Sequence, residues 1–152
     1  MENLHSGTMN AHAIRLKPGE DIVLALESAA AQAMSRSNSA SAFVLSVVGS
    51  LESVTLRMAN ACRTGDTNST ANEIKQWDER LEVISLGGTF SPNGKHLHMS
   101  VSDAKGNVFG GHLVSGRIFT TLELVLGTIQ NVTFDRETDS STGYKELVVR
   151  PS

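Results

Sequence analysis

The chain has 152 residues, 39% of them hydrophobic and 19% charged, the make-up of one globular domain rather than a disordered or membrane-spanning chain. Thirteen basic residues against 16 acidic ones leave a net charge of −3, which argues against a protein that grips nucleic acid by charge alone. The single cysteine, Cys62, excludes an internal disulfide and fits a reducing, cytoplasmic setting.

Residues 1–10 are polar and are expected to form a flexible N-terminus before one domain spanning 11–150. Met1 to His5 has neither a basic nor an apolar stretch, so no signal peptide is expected. No apolar run approaches the roughly 18 residues of a membrane span. His5 and His12 have no ligand spacing with anything nearby. Residues 11–17 alternate as a first strand. Pro18-Gly19-Glu20-Asp21 then punctuates the chain, and acidic residues there favour the positive end of a helix starting near Asp21. Ile22, Leu26, Ala29, Ala30 and Ala33 recur at helical spacing through Met34, and residues 35–39 end the helix.

Residues 42–48 form a continuous apolar run closed by Gly49, the pattern of a buried strand. Residues 53–59 follow as its expected antiparallel neighbour. Arg57 shares the polar side of that strand with Thr55 and Ser53. It is a candidate to hold a substrate charge, against the commoner role of a solvated or ion-paired strand arginine. Cys62 reads as a strand-end residue, and 64–70 as a loop without a phosphate-cradling pattern. Residues 81–90 are another strand, and Ser91-Pro92-Asn93-Gly94 is a turn.

The stretch 95–113 carries three of the five histidines. His96, His98 and Ser100 alternate with Leu97, Met99 and Val101, so the two histidines share the polar face of a strand. Asp103-Ala104-Lys105-Gly106 reads as a type I turn with Asp first and Gly last. A three-residue loop of this kind ends in a left-handed Gly with a bulge. That register sets His112 opposite His98, and opposed residues share a face with Cβ atoms roughly 4.5–5.5 Å apart. A four-residue loop would throw His112 to the apolar side. Three imidazoles on one face, with no fourth protein ligand, match an open zinc-type site. The plain alternative is a set of hydrogen-bonded polar residues on a sheet surface.

Residues 118–126 are rich in β-branched and apolar residues. Glu123 sits there between Leu122 and Leu124, in a segment expected to be largely buried. A carboxylate so placed has a partner or a task, so Glu123 is a candidate proton donor or acceptor. Residues 131–134 and 145–149 close the chain as a hairpin. The count predicts an α+β fold: a curved, mostly antiparallel sheet of about seven or eight strands with one main helix.

Several of these stretches resemble a known family. Ile-Arg-Leu-Lys-Pro-Gly-Glu-Asp at 14–21, Leu-Glu-Val-Ile-Ser-Leu-Gly-Gly at 81–88, the hairpin 96–113 with its Gly-Gly-His-Leu, Thr-Leu-Glu-Leu-Val-Leu-Gly at 121–127 and Tyr-Lys-Glu-Leu at 144–147 are similar to the plant and prokaryote conserved (PPC) domain. The resemblance implies a stand-alone prokaryotic homotrimer in a family associated with DNA binding and regulation. Plant members are fused to AT-hooks, and this chain has no Arg-Gly-Arg-Pro hook to enter a minor groove. The PPC fold also resembles acetolactate decarboxylase, whose zinc is held by a His-x-His pair and a later histidine. His96, His98 and His112 match that order. The implied readings are a DNA-associated regulatory module, a zinc-dependent enzyme acting on a small oxygenated acid, and a metal-stabilised sensor of such an acid.

Overall fold

The structure, a computed structural model, describes residues 4–59 and 73–152. Cys62 and the expected loop at 64–70 lie outside the described residues. Within them the chain forms eight strands and one helix: β1 (Met9–Leu16), α1 (Ile22–Ser37), β2 (Ala42–Arg57), β3 (Ile74–Trp77), β4 (Leu81–Ser91), β5 (Gly94–Ser102), β6 (Val108–Ile129), β7 (Val132–Thr138) and β8 (Lys145–Pro151). Six strands make an antiparallel sheet in the order β1-β6-β5-β4-β2-β3, and β2 also pairs with β6. That extra pairing joins β6, β5, β4 and β2 into a ring. The expected curved α+β sheet is therefore rolled until it meets itself. No helix among the described residues is long and apolar enough to cross a membrane.

The main departure from expectation lies in strand length. The runs at 42–48 and 53–59 are not two neighbouring strands but one, β2, and the run at 118–126 is the latter half of the 22-residue β6. Gly49 does not close a strand: it sits at φ 152 inside one. Register shifts at Val44/Ser46, Gly49/Leu51, Leu51/Ser53 and Thr55/Leu56 bend β2 along β6. Each bulge adds twist, which lets a strand turn a corner without breaking its ladder. β1 starts at Met9, two residues before the expected strand, and β3 was not anticipated.

Helix α1 begins as its sequence predicts. Asp21 is the N-cap, its Oδ1 accepting from Val23 N at 2.9 Å and Leu24 N at 3.0 Å, and Asn38 in the left-handed region ends the helix. Ile22, Leu26, Ala29, Ala30 and Ala33 form its buried stripe. Its Ile22, Leu26, Ala29 and Ala30 pack into one core with Leu51, Val54 and Leu56 of β2, Leu97 and Val101 of β5, and Ile118 and Leu122 of β6. Each large apolar side chain so buried contributes about 1.5–3 kcal/mol. At the sheet's far end Trp77 of β3 stacks on Phe109 of β6, ring centroids 4.4 Å apart.

Strand β5 shows the predicted alternation: Leu97, Met99 and Val101 are at most 2% exposed, while His96, His98 and Ser100 face outward. The hairpin β7–β8 forms a separate two-stranded sheet that touches β4 and β5. Its Arg136 donates from Nη2 to Thr89 Oγ1 of β4 at 3.0 Å.

Candidate metal centre

The turn that sets the histidine register has the predicted chemistry. Gly106 N donates to Asp103 O at 3.0 Å, and Asp103 N to Asn107 O at 3.0 Å. The Asp103 carboxylate caps the loop, accepting from Lys105 N, Asn107 N and Asn107 Nδ2 at 2.8–2.9 Å. The Asn107 side chain, above all, holds the Asp103 carboxyl below its ordinary pKa. Gly106 occupies the left-handed region at φ 83. His98 and His112 consequently face each other across β5 and β6.

Two further glycines let the strands close up around the histidines. At Gly88 of β4 a Cβ would stand 1.9 Å from His96 O, with φ at 145. Only glycine allows β4 that near the start of β5. At Gly111 a Cβ would stand 2.5 Å from Arg57 O, so the residue before His112 sits hard against β2. His112 thus lies between His98 on one side and Arg57, its register partner in β2, on the other.

The three rings converge. Their centroids are 4.9, 5.2 and 5.4 Å apart, and one ligating nitrogen from each lies within 4.8 Å of the others. His96 Nε2 and His98 Nε2 are 3.0 Å apart. A tetrahedral cation with nitrogen ligands at ~2.05 Å sets its ligand atoms about 3.3 Å apart, so this pair needs only a small adjustment. His112 Nδ1 is buried without a hydrogen-bond partner, a state that costs free energy until something supplies a partner. Burial first, then Arg57, His96, His98 and Lys95, push the His112 imidazole down to about 4. Burial also holds His96 below its ordinary value, helped by Arg136, His98 and Arg57 and opposed by Glu146. These two rings are neutral at pH 7, with lone pairs to donate. The donor set fits a borderline divalent cation such as zinc.

Beside the cluster is a cavity of about 340 Å³ lined by Gly87, Gly88, Thr89, His96, His98, Arg136 and Leu147. A Cβ at Gly87 would meet nothing within 4 Å, so the space over the sheet is open there. Arg136 is 8% exposed. Sequence reasoning missed it, because it lies far along the chain and reaches the site only when β7–β8 folds back. Arg57 does stand beside the cluster as the third strand's contribution, its guanidinium 5.8 Å from the Tyr144 ring centroid.

Glu123 is placed otherwise than expected. It is exposed rather than buried, and it lies eleven residues beyond His112 on β6, about 35 Å of extended chain. It lines an open groove of about 490 Å³ together with Arg15 and Val48. The signal was present in the sequence: Leu122, Glu123 and Leu124 alternate, and a period of two turns the middle residue outward. A carboxylate whose charge reaches His96 is Glu146 of β8, with Oε1 accepting from Thr142 Oγ1 at 3.0 Å. Another cavity, of about 400 Å³ between α1 and β1, gathers no set of ligating side chains.

Residues 4–130 match the profile of the Plants and Prokaryotes Conserved (PCC) domain, the family the sequence resembles. A curated relative, the bifunctional protein GlmU of Synechococcus sp. (strain JA-2-3B'a(2-13)), is 41% identical over 146 residues, 95% of this chain and 21% of its own length. The chain spans about a fifth of the length of the curated relatives it matches. Among solved structures, a hypothetical protein from Salmonella enterica is 32% identical with a TM-score of 0.83, covering 97% of each chain. A metal-containing protein from Archaeoglobus fulgidus has a TM-score of 0.76 at 23% identity, covering 97% of this chain and 99% of that one. A protein from Ralstonia eutropha JMP134 described as a candidate DNA-binding protein has a TM-score of 0.71 at 20% identity, covering 91% and 90%. These last two show the shared fold.

Proposed function

The chain belongs to the Plants and Prokaryotes Conserved domain family, and from that premise we propose that it is a homotrimeric regulatory module built around a metal centre. His96, His98 and His112 hold one divalent cation per chain, zinc by preference, and the centre responds to a small oxygenated acid. The observation that carries this reading is the convergence of three imidazoles, one with a buried, unpartnered nitrogen, on the outer face of the sheet. When bound, such a cation supplies a Lewis-acid position for an oxygen ligand. The chain's own residues do the rest. The rolled sheet fixes the rings, Gly87 keeps the approach clear, and Arg136 lines the pocket beside His96 and His98.

A role as a module also fits the occurrence of its relative as a fifth of a larger bifunctional protein. Turnover is the second reading. It is favoured by Glu146, a carboxylate whose charge acts on His96 and which could take the proton-transfer role expected of Glu123. Elemental analysis and zinc titration of untagged protein test the centre. One zinc per chain in the wild type and none held tightly by His98→Ala is the expected result. Absence of zinc from the supplemented wild type overturns the reading.

A further inference from the structure

Arg136 is a cation in an unusual position. Burying a guanidinium costs several kcal/mol unless an anion and a full set of acceptors compensate. The Arg136 guanidinium makes two hydrogen bonds, both to neutral groups: Nη1 to Lys145 O at 3.1 Å and Nη2 to Thr89 Oγ1 at 3.0 Å. It forms no ion pair among the described residues. The carboxylate that acts on it is Glu146, itself tied to Thr142. A guanidinium carries five N–H donors in a planar fork, so donors remain on a residue that lines the same open pocket as His96 and His98.

The cavity's other lining narrows the occupant. Its volume of about 340 Å³ is at the small end for ligand sites, which suits a compact molecule. Gly87, Gly88 and Leu147 give it an apolar floor and side. A carbon skeleton can lie against that apolar lining.

We propose that the occupant of this cavity is a small carboxylate, gripped between the three-histidine metal and the Arg136 fork, with its carbon chain against Leu147. The proposal rests on the metal-centre reading above and names the ligand class of that site. Arg136 then acts as a specificity-determining residue. A planar, always-charged fork matches a planar carboxylate in a way a lysine does not.

The test is calorimetric titration of zinc-loaded protein with lactate, with lactamide as its uncharged counterpart and inorganic phosphate as the competing anion. Lactate is expected to bind at least tenfold more tightly than either. Arg136→Gln is expected to weaken lactate binding at least tenfold with zinc still at one per chain, and Arg136→Lys to fall between. A wild type that takes up no zinc overturns the metal centre and this bridge with it. A wild type that takes up zinc but binds no lactate, prefers phosphate, or loses nothing in Arg136→Gln overturns the carboxylate assignment alone. If Arg136→Gln fails to fold by circular dichroism, the Arg136 Nε–H resonance of the zinc-loaded wild type reads the same contact. A shift that saturates with lactate supports the proposal, and an unmoved resonance overturns it.

Discussion

His112 concentrates the residue-scale consequences. Its imidazole is pushed from the ordinary 6.5 to about 4, by burial first and then by Arg57, His96, His98 and Lys95. In the metal-free protein the unfolded chain takes up this proton near 6.5 and the folded chain only near 4. Between those values the unfolded state binds more protons, so stability falls as pH falls through that window. The melting temperature of chelator-stripped protein is therefore expected to drop between pH 7 and pH 4.5, and His112→Gln is expected to lessen that drop. An equal drop in the variant would assign the effect to other groups. The residues also show where sequence reading succeeds. His96 and His98 follow from alternation alone. Arg136 has no local signal, because what makes it a site residue is the return of a hairpin some forty positions later. The outward turn of Glu123 is legible in its alternation with the buried Leu122 and Leu124, a signal that the hydrophobicity of those neighbours masks.

At the scale of elements, the hairpin β5–β6 was readable because its register is set by local turn chemistry. One Asp, one Gly and three residues of loop decide which face His112 takes. The long strands were not readable in the same way. A strand that bends at a bulge looks like two strands in sequence, since glycine marks both a stop and a corner. The adjacent pair Gly87 and Gly88 turns this ambiguity into a measurement. A Cβ on Gly88 meets the His96 carbonyl at 1.9 Å in a backbone conformation that L-residues avoid. Gly88→Ala is therefore expected to cost about 3 kcal/mol or more, a fall of roughly 6–12 °C in melting temperature for a domain of this size. Gly87→Ala has free space ahead of it and is expected to be neutral, or to stabilise by a few tenths of a kcal/mol through the unfolded chain. Thermal melts of the two variants side by side check the expectation. Equal melting temperatures would mean that β4 does not press on β5 as described.

For the whole molecule, the apolar residues on the outside of the sheet matter most. Val48 and Val108 are 58% and 60% exposed, and Leu45, Ile84 and Val114 are exposed as well. Such side chains left in water favour association between copies. Sedimentation of the wild type at micromolar concentration is expected to give three times the 16.2 kDa chain mass, and a monomer would count against the proposed trimer. Charge points away from another kind of partner. Affinity for duplex DNA grows with the number of phosphates that Lys and Arg neutralise and falls steeply with salt, and here 13 basic residues are outnumbered by 16 acidic ones. Fluorescence anisotropy with a labelled A·T-rich duplex at physiological salt is expected to show weak binding or none. Sub-micromolar affinity with a steep salt slope would restore DNA recognition as the main activity. The stack of Trp77 on Phe109 has an optical consequence. Trp77 is the chain's one tryptophan, so all indole emission comes from a ring resting on the strand that carries His112 three residues later. A cation held by His112 would tie that residue to His96 and His98 and so restrain the start of that strand. Zinc added to stripped protein is then expected to change the emission in step with occupancy, giving a dye-free titration. A flat trace alongside calorimetric uptake would show that the stack is mechanically isolated from the centre.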